Sequence, residues 1–105
     1  MPIYVTMWKY TKDGLVDIRQ TPEQYKVVNE IIKFHGGNVI NAYGLVGEYD
    51  VMTIVELPDE KALMAAILKI CSKGRVIPVT LTAVPMDEFL EITSEATHYV
   101  SEFAS

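Results

Sequence analysis

The chain has 105 residues but a single cysteine, Cys71, and only two histidines, His35 and His98. A lone cysteine excludes an intramolecular disulfide. These three residues lie far apart with no metal-ligand spacing, so no metal centre is expected. No stretch approaches the ~18 apolar residues of a membrane span. The start, Met1-Pro2-Ile3-Tyr4, has neither the basic region nor the apolar core of a leader. Positive charge is also scarce: nine Lys and Arg face fourteen Asp and Glu, a formal net charge of −5. Lys9, Lys12 and Arg19 are the nearest approach to a cluster, and nucleic acid is therefore not an expected partner. Glycines 36, 37, 44 and 47 spell neither a P-loop nor a dinucleotide fingerprint, and no cofactor is expected. These absences leave a cytoplasmic protein without membrane association as the expectation.

What is present is one domain's worth of alternating and helical patterns. Residues 3–10 alternate as a strand. Thr11-Lys12-Asp13-Gly14 reads as a turn, and residues 15–20 are compatible with a short helical turn. Thr21-Pro22-Glu23-Gln24 is a helix start, with Thr21 suited to the N-cap and Gln24 to a capping box. Val28, Ile31, Ile32 and His35 follow at helical spacing, and Gly36-Gly37 ends the helix. Strands are expected over 38–46 and 49–57, joined by a hairpin at Gly47. Asp59 caps a second helix with the stripe Ala62, Leu63, Ala66, Ile67 and Ile70. A last strand covers 76–84, with Pro78 pointing to a sheet edge or a bulge. Residues 86–105 carry Phe89, Ile92, Ala96, Tyr99, Val100 and Phe103 at gaps of three and four, an amphipathic pattern. The order β-α-β-β-α-β predicts an α+β, ferredoxin-like fold: a four-stranded antiparallel sheet with two helices on one face, and an extra C-terminal helix.

One sheet face is then left uncovered. Ile3, Val5, Met7, Val51, Val55, Leu57, Ile77, Val79 and Leu81 suit the helix side. The other face would carry Tyr4, Thr6, Trp8 and Tyr10, then Val39, Asn41, Tyr43 and Leu45, Met52, Ile54 and Glu56, and Thr80, Thr82 and Val84. Such a face is too apolar for water, and a second copy in a two-fold dimer is its simplest cover.

Tyr10-Thr11, Asp13-Gly14-Leu15, Pro22-Glu23, Gly36-Gly37, Tyr43 and Gly47-Glu48-Tyr49-Asp50 occur in that order. Glu56, Pro58-Asp59-Glu60, Gly74 and Thr80-Leu81 continue the set. In these features the chain resembles the GYD-domain family over roughly residues 2–90. The resemblance implies a ferredoxin-like, dimeric α/β-barrel fold and no particular chemistry. It divides the chain into a domain over 1–92 and a tail over 93–105. A weaker resemblance, over residues 47–59, is to the ligand-sensing domains of the leucine-responsive regulators, which implies amino-acid binding between subunits. No helix-turn-helix segment accompanies it here.

Candidate ligand-binding residues are Trp8, Tyr10, Asn41, Tyr43 and Glu56 on the uncovered face, with His35, Tyr49 and Asp50. Aromatic side chains with a few polar groups suit small-ligand pockets, although packing in a dimer interface is the favoured reading of the same set. Asp50 suits a turn-fixing role better than acid–base work. His35 suits packing or capping at a helix end, and Cys71 has no local base to activate it. No catalytic set emerges. The expected function is a homo-oligomeric small-ligand-binding or sensing module without catalysis. The alternative, by fold analogy alone, is a cofactor-independent enzyme of the monooxygenase or isomerase type. A purely protein-interaction role, with the tail docked on another chain, is a third reading.

Overall fold

A computed structural model describes residues 1–104, with side chains described for residues 1–96. The side chains of His98, Tyr99, Val100 and Phe103 thus lie outside the described residues. Strands β1 (Ile3–Tyr10), β2 (Asn38–Gly44), β3 (Val51–Glu56) and β4 (Val76–Ala83) form one sheet in the order β2-β3-β1-β4. Each neighbouring pair is antiparallel. The helices are α1 (Lys12–Val16), α2 (Thr21–Phe34), α3 (Glu60–Cys71) and α4 (Met86–Ala104), with a 3₁₀ turn at Ile18–Gln20 before α2. The architecture is the expected α+β, ferredoxin-like one, and Pro78 lies on an edge strand, where its missing N–H costs no ladder bond.

The choice of buried face differs from expectation. Tyr4, Thr6 and Trp8 are 2%, 1% and 6% exposed and point toward the helices, with Tyr10 on the same face. Ile3, Val5 and Met7 lie on the open face with Met52, Ile54, Ile77, Val79 and Leu81. Hydrogen bonding within the face makes this burial inexpensive. Trp8 Nε1 donates to Thr53 Oγ1 at 2.9 Å, and the Thr6 and Thr80 hydroxyls meet at 3.0 Å. Polar atoms paired in this way are inexpensive to bury. Residues directly opposite across a ladder share a face, so Trp8 must accompany Val51, and Tyr4 must accompany Val55 and Thr82. Alternation groups residues correctly but does not say which group the helices cover.

On β2 the register shifts between Val39 and Asn41, leaving Ile40 as an extra residue. Val39 therefore packs into the core, while Asn41 and Tyr43 stay on the open face beside Ile54 and Met52. The core itself is Tyr4, Ile32, Val55, Leu57 and Ala66, flanked by Val28, Ile31, Val39, Ala62 and Leu63. Tyr4 sits beneath α3, where burial, then Glu60 and Asp59, push its hydroxyl above the ordinary value of 10.0.

Helix ends follow local chemistry. Asp59 caps α3 by accepting from Ala62 N at 2.9 Å, as expected. Thr21 is the first residue of α2 rather than its cap, because its hydroxyl donates to Ile18 O at 2.7 Å. At the other end Gly36 takes φ +88°. Gly36 N and Gly37 N then donate to Lys33 O and Ile32 O, both at 3.0 Å. Residues 12–16 form the short helix α1 instead of an open turn. Thr11 caps it, accepting from Gly14 N at 3.1 Å. Thr11 also ties this corner to the next one: its hydroxyl donates to Gly74 O at 2.7 Å and its amide to Arg75 O at 3.0 Å. Gly14 lies so close to the Arg75 carbonyl that a Cβ would collide with it.

After β4 the chain leaves the sheet as α4, all of whose described side chains, residues 86–96, are exposed. The molecule measures 60 × 31 × 19 Å. Its radius of gyration is 17.2 Å, against about 13 Å for a compact chain of this length.

Two outcomes follow from this packing. Thr53→Val leaves the buried Trp8 N–H without an acceptor and should cost about 1–3 kcal/mol in urea unfolding. The neutral Tyr4 phenol is favoured by the fold. Its stabilisation is therefore complete below pH 10.0, the ordinary value, and lost as pH rises through the higher folded-state value. Tyr4→Phe should therefore lose less stability than the parent between neutral and strongly alkaline pH.

Candidate functional site

The helix-side layer is not completely filled. A cavity of about 260 Å³ lies where the N-terminal half of α2 and the C-terminal end of α3 meet the sheet. Its sheet wall is Trp8, Val51 and Thr53, and its helix walls are Val28, Ile31 and Ile70. Tyr10, Thr21 and Gln24 supply polar groups, and Glu23, Lys69, Lys73 and Arg75 supply charge. Thr21 gives its only hydroxyl proton to Ile18 O, so the Tyr10 hydroxyl donates to Thr21 Oγ1, 2.9 Å away. Gln24 Nε2 is shielded from solvent and has no hydrogen-bond partner. Arg75 is fixed at the site by Asp17, Nε to Oδ2 at 3.3 Å, while Lys69 lies 4.6 Å from the Phe34 ring centre.

The residues singled out from the sequence divide into three groups. Trp8 and Tyr10 line the cavity, on the helix face of the sheet rather than the open one. Asn41, Tyr43 and Glu56 lie on the open face, where Tyr43 is 48% exposed and Glu56 Oε1 accepts from Asn38 Nδ2 at 3.2 Å. Tyr49 and Asp50 belong to the β2–β3 connection. Asp50 Oδ2 accepts from Tyr10 N at 2.8 Å, Asp50 N donates to Trp8 O at 2.9 Å, and Asp50 O accepts from Leu45 N at 2.9 Å. These bonds fasten the connection to the end of β1, the turn-fixing role favoured for Asp50. His35 caps the C-terminus of α2, its ring edge-on to Phe34 at 5.1 Å, and does not line the cavity. Its Nε2 is buried without a partner.

Gln24, Val28, Thr53, Lys73 and Arg75 were not among the sequence candidates. Gln24 carried a signal: it stands four residues before Val28 on the same stripe of α2, an amide within an apolar face. Arg75 and Lys73 carried none, because their placement comes from the corner where Thr11 binds Gly74 and Arg75. Cys71 is half-buried, and burial pushes its thiol above 9.0, which lowers its reactivity further. Among the described residues no group of His, Cys, Asp and Glu is arranged to hold a metal, and no helix is long and apolar enough to cross a membrane.

The family model for the GYD domain matches residues 4–93. The chain belongs to the GYD-domain family. It is 32% identical over 91 residues to the glutamine synthetase and cystathionine beta-lyase binding protein of Thermus thermophilus, covering 86% of this chain and 96% of that protein. Among solved structures, a feast-or-famine regulatory protein (FFRP) of M. tuberculosis complexed with L-methionine superimposes with a TM-score of 0.60 at 14% identity, over 80% of this chain. The match spans 50% of that regulator's chain. A second FFRP structure gives 0.57 at 20% identity, over 80% of this chain and 100% of its own. A protein of Thermus thermophilus gives 0.52 at 21% identity, over 80% and 94%. At these identities the likeness to the regulators concerns the fold.

Because Asp50 binds backbone rather than lining the cavity, Asp50→Ala should act on stability. A loss of about 1–2 kcal/mol in thermal or urea unfolding is expected, as for the loss of a capping carboxylate.

Proposed function

We propose that this GYD-domain protein is a homo-oligomeric small-ligand-binding or sensing module that works without catalysis. The observation carrying this reading is the cavity beside Trp8, which holds a shielded, unpartnered Gln24 amide in largely apolar walls. The two groups that would have supported acid–base chemistry lie elsewhere, with Asp50 engaged by the Tyr10 amide and His35 at the far end of α2. This placement favours binding over acid–base chemistry. The regulators of similar fold, one of them complexed with L-methionine, are compatible with a sensing role.

Self-association is supported by the open face. On β4, Ile77 and Leu81 are each 57% exposed and Val79 43%, and Tyr43 is exposed on the same face at the opposite edge, β2. Contiguous apolar surface of this kind is characteristic of protein interfaces. A second copy covering this face is the dimeric α/β barrel. The Thermus relative, named for binding two enzymes, supports a second reading in which an oligomer also docks on a metabolic enzyme.

Native mass spectrometry of the purified chain should show a dimer or a multiple of it, retaining added non-protein mass. Leu81→Asp should shift the population toward monomer. A parent protein that is monomeric and bare would refute the oligomeric sensing reading. Co-elution with glutamine synthetase in size-exclusion chromatography, against each protein alone, tests the docking reading.

A further inference from the structure

The cavity between α2, α3 and the sheet has a chemical bias that goes beyond small-ligand binding in general. The whole chain has a net charge of −5, yet three cations, Lys69, Lys73 and Arg75, line this cavity against Glu23, and even with Asp17 paired to Arg75 the cations are in excess. Lys73 has no anionic partner among the described residues. A local excess of positive charge on an acidic protein draws an anion toward that place. Inside, the Gln24 amide offers N–H donors with nothing to receive them. A shielded donor of this sort is costly until an acceptor arrives. The remaining walls, Trp8, Val28, Ile31, Val51 and Ile70, are apolar. The volume, about 260 Å³, falls just below the range of drug-sized pockets, about 300–1,000 Å³, and suits a small molecule rather than a nucleotide cofactor.

We infer that this cavity binds a small amphipathic carboxylate. The apolar body rests against Trp8, Val28 and Ile70, and the carboxylate is received by donors from Gln24, Lys73 and Arg75. The assignment rests on the ligand-binding reading above but places the ligand within one protomer, not on the open face. It also separates two surfaces: the helix side holds the small molecule, and the open face is left for protein contacts.

Trp8 is the chain's only tryptophan, so its emission reports directly on the site. The full-length protein is titrated at neutral pH with 3-phenylpropionate and with its uncharged counterpart, 3-phenylpropan-1-ol. The acid should change Trp8 emission saturably and bind about tenfold tighter than the alcohol, as a charge-assisted hydrogen bond predicts. Gln24→Leu should weaken the acid about tenfold, by the same bond. Lys73→Glu, at an exposed position, should weaken the acid several-fold and leave the alcohol unchanged. Val28→Phe, which fills the cavity, should abolish both. Should that variant fail to fold, Lys73→Glu still decides the matter. Equal affinity for acid and alcohol, or an acid preference undiminished by Lys73→Glu, overturns the carboxylate assignment. Small-molecule mass retained in native spectra by parent and Val28→Phe alike, with Trp8 emission blind to both probes, moves the ligand elsewhere. That result defeats this inference while sparing the sensing reading. No retained mass and no response to either probe defeats both.

Discussion

The hydrogen bond from the Trp8 indole to the Thr53 hydroxyl, 2.9 Å long and buried, ties β1 to β3 with both side chains on one face of the sheet. β1 lies between β3 and β4, so its orientation is passed to both neighbours through the ladders. With Trp8 inward, Thr6 is inward too and must pair with Thr80, and Tyr4 must fit beneath α3. The aliphatic residues of β1 and β4 are then turned outward. Reversing the sheet would place these hydroxyls and the indole N–H against another surface and bury Val5, Val79 and Leu81 beneath the helices.

A mixed aromatic and hydroxyl layer fills less evenly than an aliphatic one. Trp8 and Tyr10 are large and rigid, and their polar atoms are held by Thr53 and Thr21. Trp8 is held to the sheet by Thr53 and Tyr10 to the first residue of α2 by Thr21, and a cavity remains between them where α2 begins and α3 ends. The corner at Thr11, with its bonds to Gly74 and Arg75, then brings cationic residues to the rim.

The two sides of the sheet consequently differ in kind. The helix side of the sheet is a polar–aromatic layer whose indole and hydroxyls are paired, with a small void beside the unpartnered Gln24 amide. The open side is a broad aliphatic surface continued by Tyr43, and α4 adds the exposed Phe89, Leu90 and Ile92 beyond it. Membership of the GYD-domain family and the fold shared with the regulators agree with this α/β arrangement.

Much of this was legible in the residues. Element order, the Asp59 cap, the glycine stop after α2 and the edge position of Pro78 all depend on local chemistry within a few residues, and local chemistry is what a linear chain displays. The β3 faces were also legible, since Val51, Val55 and Leu57 are uniformly apolar. The bulge at Ile40 was not, and it moved Val39 away from Asn41 and Tyr43. Nor was Thr21's role, because its hydroxyl partners come from Ile18 and Tyr10 rather than from the helix it opens.

By itself the amino-acid sequence determined the order of strands and helices, which side chains travel together on β1, β3 and β4, and the Asp59 and glycine ends of the helices. Which sheet face the helices cover was decided only in three dimensions. Burying an indole or a hydroxyl depends on a partner brought forty-five residues away in the case of Trp8 and Thr53, and seventy-four in the case of Thr6 and Thr80. Hydrophobicity ranks Val5 above Thr6, but a hydroxyl with its hydrogen bond made loses most of its preference for water. The cavity has the same origin: Gln24 is far along the chain from Lys73 and Arg75, and they line one cavity through the packing of α2 and α3 on the face that carries Trp8.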